Sequence, residues 1–199
     1  PPTHIEDTIQ LPASKSISNR ALIIHALAGG NIMPENLSTC DDTAVIARAF
    51  KDNPYEIDIM AAGTAMRFMT AYLSVTESEH VLTGTERMKQ RPIKILVDAL
   101  RSLGADIQYV GEEGFPPLRI KGKRLTGGSI EVAGNVSSQY VSALLMIGPT
   151  LEKGLELKLL GNVISRPYID LTLNVMHEYG ADAEWTDIDT ITIRPKRYE

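Results

Sequence analysis

Cysteine is nearly absent from this 199-residue chain, where Cys40 stands alone. No intramolecular disulfide can form, and nothing in the composition points to an oxidising compartment, so a cytoplasmic setting is expected. Positive charge is also in short supply. With 20 Lys and Arg against 25 Asp and Glu, the formal net charge is −5. That excludes a global basic field, and nucleic acid is not an expected partner. No apolar run approaches a membrane span, and the opening residues lack the charged-then-apolar form of a signal peptide, so no membrane partner is expected either. The histidines (His4, His25, His80 and His177) are too scattered for metal-ligand spacing. No pair of carboxylates and no Ser-His-Asp arrangement stands out, so proton-transfer machinery is not visible.

What is present is hydrophobic periodicity broken by helix signals. The stretch 11–30, LPASKSISNRALIIHALAGG, passes from a polar loop into an apolar helical run and stops at Gly29-Gly30. Ser16 or Ser18 is suited to cap that helix, and the glycines to end it. The start of a helix exposes N–H donors at a positive dipole end, and Lys15 and Arg20 add full charges there. Either an anion site or a capped core helix with two solvated cations fits this stretch alone.

Along the chain, strands are expected at 5–11, 31–37, 53–60, 80–84, 105–110, 116–122, 129–134, 154–161, 181–186 and 190–195. Further helices are expected from Asp41, over 61–73, over 91–104 with Ile93, Leu96, Val97 and Leu100 inward, over 135–148, and over 166–180 with Ile169, Leu173 and Met176 inward. Asp41 and Asp42 read as charges at a favourable helix end, with no role in a site.

An internal repeat is legible. Arg91-Pro92 leads a helix ending in Gly104-Ala105-Asp106, and Arg166-Pro167 leads one ending in Gly180-Ala181-Asp182, about 75 residues later. The chain therefore reads as an α/β fold of three repeated βαβαβ(β)-type units, roughly 5–54, 55–126 and 127–195, within one globular domain spanning 1–199. Each unit has an apolar inner helix and an amphipathic outer one, and the first is shorter. Around a pseudo-three-fold axis the inner helix starts would converge: Lys15-Ser16, Gly63-Thr64 and Ser137-Ser138-Gln139. Arg20, Arg67, Arg91 and Arg166 would back them, giving a surface suited to a substrate with several anionic groups.

The blocks LPASKSISNRAL, GTAMRF, RMKQRPI, GNVSSQY and ISRPYIDLTL, in this order, resemble the 5-enolpyruvylshikimate-3-phosphate synthase family. The resemblance implies the enolpyruvyl transferase fold and transfer of the enolpyruvyl group of phosphoenolpyruvate to the 5-hydroxyl of shikimate 3-phosphate. The reaction releases phosphate through a tetrahedral adduct and needs no cofactor. It also implies a second domain, since members are about twice this length; the chain looks like an N-terminal domain fragment, inactive alone. Carried over residue by residue, Lys15, Gly63, Arg91 and Gln139 would face phosphoenolpyruvate. Ser16, Arg20, Ser137, Ser138, Gln139, Ser165 and Tyr168 would face shikimate 3-phosphate. No catalytic residue is expected in this half. Arg67 is open between the site and a structural ion pair, and Arg87 between the site and solvent.

Two positions depart from the family pattern: Ala61 stands where an Asn is frequent, and Phe68 where a Pro is frequent. The related UDP-N-acetylglucosamine enolpyruvyl transferases place a reactive cysteine where this chain has Glu86, which argues against them. A non-catalytic small-anion-binding module remains the alternative.

Overall fold

Arg91-Pro92 and Arg166-Pro167 each precede a helix whose far end carries a glycine in the left-handed region, Gly104 at φ +103° and Gly180 at φ +77°. A side chain resists that conformation, and there the chain reverses into an antiparallel strand pair. In the computed structural model, which describes residues 6–199, the two repeats build the same sheet twice. The first runs β1 (Glu56–Asp58), β2 (Glu79–Thr83), β4 (Leu118–Lys121), β3 (Asp106–Tyr109), and the second β5 (Gly128–Ala133), β6 (Leu155–Leu160), β8 (Thr190–Ile193), β7 (Ala183–Trp185). In each, the outer pair is parallel (β1 with β2, β5 with β6) and the other two pairings are antiparallel. A parallel pair needs a crossover. The crossovers are the apolar helices α3 (Gly63–Val75) and α6 (Ser138–Ile147).

These two helices pack on each other and on α1 (Lys15–Leu27), and the three form the centre of the domain. All eight residues from Tyr140 to Ile147 are buried, as befits a helix that is apolar all round. Truncating a leucine at such a position costs about 2–5 kcal/mol. The outer helices are α2 (Asp41–Asp52), α5 (Lys94–Ser102) and α7 (Arg166–Glu178), with the short α4 (Glu86–Lys89) before α5. Their inward residues are those the periodicity marks: Val45, Ile46 and Ala49; Leu96, Val97 and Leu100; Ile169, Leu173 and Met176.

The first unit departs from the expected pattern. Residues 6–11 are exposed and form no strand, and Ile5 lies outside the described residues. Residues 31–37 form bends rather than a strand. Pro34 cannot donate to a ladder, and Asn36 sits at φ +52°, which breaks an extended run. Among the described residues this unit is two helices without a sheet.

Caps differ too. Ser14, not Ser16 or Ser18, caps α1 by accepting from the Ile17 N–H at 3.4 Å. Ser18 is buried and instead accepts from the Ser38 N–H. The helix after Arg91-Pro92 starts only at Lys94, so Arg91 lies in a loop, whereas Arg166 opens α7 itself.

The β1–α3 connection carries strain. Met60 has φ +55° and is held by its N–H donating to Asp58 Oδ1 and its carbonyl accepting from the Thr85 N–H. A non-glycine residue there costs about 1–2 kcal/mol, part of which the unfolded-state entropy of glycine would offset. Met60→Gly is therefore expected to raise stability by about 0.5–1 kcal/mol, read from the urea midpoint; a lower midpoint would show that the Met60 side chain contributes more than the strain takes away.

Candidate active site

The starts of α1, α3 and α6 meet in one open cavity of about 350 Å³. Lys15, Ser16, Asn19 and Arg20 come from α1, Thr64 from α3, Ser137, Ser138 and Gln139 from the α6 cap and first turn, and Tyr168 from α7. Gln139 Nε2 donates to Thr64 Oγ1 at 3.2 Å, tying α6 to α3 across the cavity. Ser137 caps α6 through the Gln139 N–H. Three helix N-termini with hydroxyls, an ammonium and a guanidinium give this cavity the donors and positive potential that suit an anion.

Arg20 is buried, only 3% exposed. Its Nε donates to Thr172 Oγ1 (2.7 Å), Nη1 to the Ser16 carbonyl (2.9 Å), and Nη2 to Ser142 Oγ (2.9 Å) and the Tyr168 carbonyl (3.4 Å). Burial pushes its pKa down to about 10, against an opposing pull from Tyr168, so it stays a cation at neutral pH. The guanidinium lies 5.3 Å from the Phe68 ring centre, and Phe68 occupies the position where the resemblance notes a frequent proline.

A second cluster of cations stands beside α3. Arg91 lies against Gly63: a Cβ on that glycine would come within 2.5 Å of Arg91 Nη1. Burial and then Arg67 push the Arg91 pKa below its usual value, Tyr140 and Asp42 pull the other way, and Arg87 adds to the depression. Arg67 is buried, donates from Nη1 to the Gly63 carbonyl and stacks over Tyr140 at 5.6 Å. Among the described residues its Nε has no hydrogen-bond partner. No ion pair among the described residues includes Arg67. Mutually repelling guanidinium groups are relieved by a bound anion.

The expected residues divide accordingly. Lys15, Ser16, Arg20, Ser137, Ser138, Gln139 and Tyr168 line the cavity, while Gly63 and Arg91 pair beside it. Ser165 does not line it; it precedes α7 at φ +56° with no capping hydrogen bond from its side chain. Arg166 turns away, stacking 3.8 Å over Trp185 and donating to the Ile188 carbonyl.

Sequence reasoning missed Asn19, Thr64 as an individual ligand candidate, and Asp42. Lys15 Nζ donates to Asp42 Oδ2 at 2.9 Å, and the Thr64 N–H donates to Asp42 Oδ1 at 3.2 Å. Helix-start acids are common, and nothing local to Asp42 marks it as different from Asp41. Among the described residues no group of three or more His, Cys, Asp or Glu could hold a metal ion, and no helix is long and apolar enough to cross a membrane.

With this geometry in place, comparison with known proteins is decisive about ancestry. A family profile described as "EPSP synthase (3-phosphoshikimate 1-carboxyvinyltransferase)" matches residues 1–52 and 46–198. The chain belongs to the EPSP synthase family. A curated EPSP synthase relative from Bacteroides fragilis (strain ATCC 25285), named 3-phosphoshikimate 1-carboxyvinyltransferase, is 63% identical over 197 residues, 99% of this chain and 48% of its own length. One of the same name from Histophilus somni (strain 2336) is 40% identical over 227 aligned positions, covering 100% of this chain and 52% of that protein. The chain thus spans about half the length of the curated relatives it matches. A solved EPSP synthase from Acinetobacter baumannii superposes with a TM-score of 0.79 at 23% identity, over 94% of this chain and 47% of that one, which establishes the fold.

The family match breaks at residues 46–52, at the end of α2. The alignment with the Histophilus protein is also longer than this 199-residue chain, so that EPSP synthase carries residues absent here. Both findings agree with a first unit that goes from α2 to β1 without a sheet of its own.

Proposed function

We propose that this chain is the half of an EPSP synthase that gathers shikimate 3-phosphate and phosphoenolpyruvate, and that enolpyruvyl transfer to the 5-hydroxyl requires a second domain of the same polypeptide. On this reading residues 1–199 are one domain, and no cofactor takes part. The observation that carries it is the convergence of three helix N-termini and the side chains of Lys15, Ser16, Arg20, Ser137, Ser138, Gln139 and Tyr168 in one cavity. Ser16, Arg20, Ser137, Ser138, Gln139 and Tyr168 face shikimate 3-phosphate, with Ser165 reaching its phosphate from the turn before α7. Lys15, Gly63, Arg91 and Gln139 face phosphoenolpyruvate.

The need for a second half has a chemical reason. Enolpyruvyl transfer requires a group that takes the hydroxyl proton and one that protonates the methylene carbon. None of the residues lining the cavity is an acid or a histidine. Cations and hydroxyls dominate this lining and suit anions, while a carboxylate or imidazole base for the hydroxyl proton is not among them.

The test combines calorimetry with a phosphate-release assay. The chain alone is expected to bind shikimate 3-phosphate weakly and to release no phosphate from the two substrates; adding the separately folded remainder of a full-length relative is expected to restore some release. Turnover by the chain alone would overturn the division of labour. Binding without turnover, and without rescue in trans, would favour the small-anion-binding module instead.

A further inference from the structure

Asp42 sits on the wall between two cavities. It lines one of about 450 Å³ together with Asp41, Arg48, Met60 and Ala61. Its carboxylate reaches through to Lys15 and to the Thr64 N–H, and both of those residues line the anion cavity. One side chain at the start of an outer helix therefore ties together the starts of two inner helices. The α3 cap position, Ala62, has no side-chain acceptor of its own, so Asp42 supplies one from α2. Lys15 is about half exposed on its side chain, against 15% for Asp42, so the ammonium keeps donors free for a ligand while the carboxylate behind it is sheltered.

A carboxylate beside an anion site opposes binding by charge alone. The geometry assigns it a different part. We infer that Asp42 is a positioning residue: it fixes the Lys15 ammonium and the α3 N-terminus on the same side of the cavity as Gly63 and Arg91, and anion affinity depends on it despite its negative charge. The inference rests on the anion-binding reading above and deepens it. The rotamer freedom of a lysine is large, and restricting it before binding removes an entropic cost from the complex. The two effects predict opposite signs, which makes them separable.

Inorganic phosphate is the probe, titrated by calorimetry into the wild-type chain and its Asp42→Ala, Asp42→Asn, Asp41→Ala, Lys15→Ala and Lys15→Ala/Asp42→Ala variants. Asp42→Ala is expected to weaken phosphate binding about tenfold, the scale of one charge-assisted hydrogen bond. Asp42→Asn, which still offers an acceptor, stays within about threefold, and Asp41→Ala leaves affinity unchanged. In the double variant the losses fall well short of adding, since Asp42 acts through Lys15. Unchanged or tighter binding by Asp42→Ala, or full additivity, overturns the inference. A second measurement needs no ligand: acetylation of Lys15, quantified by mass spectrometry against Lys121, is expected to rise several-fold in Asp42→Ala and less in Asp42→Asn. Unchanged labelling overturns the inference even where phosphate binds to no form, an outcome that would count separately against the anion-binding reading.

Discussion

Arg20→Ala is expected to lose about 3 kcal/mol of folding stability, a fall in Tm of roughly 6–12 °C for a chain of this size. The estimate comes from the partners lost. Arg20 donates to two buried hydroxyls and two carbonyls, and charge-assisted bonds of this kind are each worth about 1.5–3 kcal/mol when one side is removed. Two facts hold the total down. Ser142 Oγ and Thr172 Oγ1 lie 2.8 Å apart and keep each other as partners, and the Ser16 carbonyl sits at the cavity, where water can replace the guanidinium. Loss of the stacking over Phe68 adds a smaller amount. Arg20→Lys is expected to recover less than half of the deficit, because a point charge cannot serve four acceptors as a planar fork does. Urea denaturation of the three proteins checks both statements; a loss below about 1 kcal/mol would mean that the hydroxyl network stands without the cation. Arg20 lines the cavity and also cements α1 to α6 and α7, so the cavity wall is preorganised by the core behind it.

At Arg91 the expectation is the reverse, a large loss of binding with little loss of stability. Arg91 is an exposed residue whose pKa is held down first by partial burial and then by repulsion from Arg67 and Arg87, so the fold gains little from it. Arg91→Ala is expected to change stability by less than about 0.5 kcal/mol and to weaken phosphate binding about 10- to 100-fold, the range for one charge-assisted pair. Gly63→Ala makes the same point without touching the charge. Its methyl group would enter the space of Nη1 and Nη2, the movable end of a long side chain, so the arginine shifts while the backbone stays. Its phosphate affinity is expected to fall about tenfold, and the double variant to be no worse than Arg91→Ala, since both remove one contact. Phosphate-dependent rises in Tm, compared at fixed ionic strength, measure all three. If Gly63→Ala binds as wild type does, the Arg91–Gly63 approach is incidental to the site.

Much of the architecture is local in origin. A proline beside an arginine, an i, i+3, i+4 stripe and a glycine that accepts positive φ mark α5, and the same signs recur a repeat later at α7. That recurrence is why the second and third units were legible as copies of one plan, and both build sheets of the same order. The first unit lacks those signs, and of the strands expected at 5–11 and 31–37 the second rests on weak alternation interrupted by a proline. Neither segment has a neighbour to pair with among the described residues, and a strand is defined by its partner.

The cavity divides along the same line. The residues around it cluster at helix starts because serine, glycine and threonine terminate and initiate helices for local reasons, so Lys15-Ser16, Gly63-Thr64 and Ser137-Ser138-Gln139 declare themselves in the chain. The direction in which a long side chain turns is settled by what packs around it. Arg20 is drawn into the core by Ser142 and Thr172, more than a hundred residues away; Arg166 is drawn outward by Trp185; and Asp42, one of two adjacent acids, is the one whose carboxylate meets Lys15. Helix boundaries and inward faces follow from interactions spanning a few residues, which order along the chain records. Which charge meets which depends on contacts between distant segments, and only the packed helices bring those together.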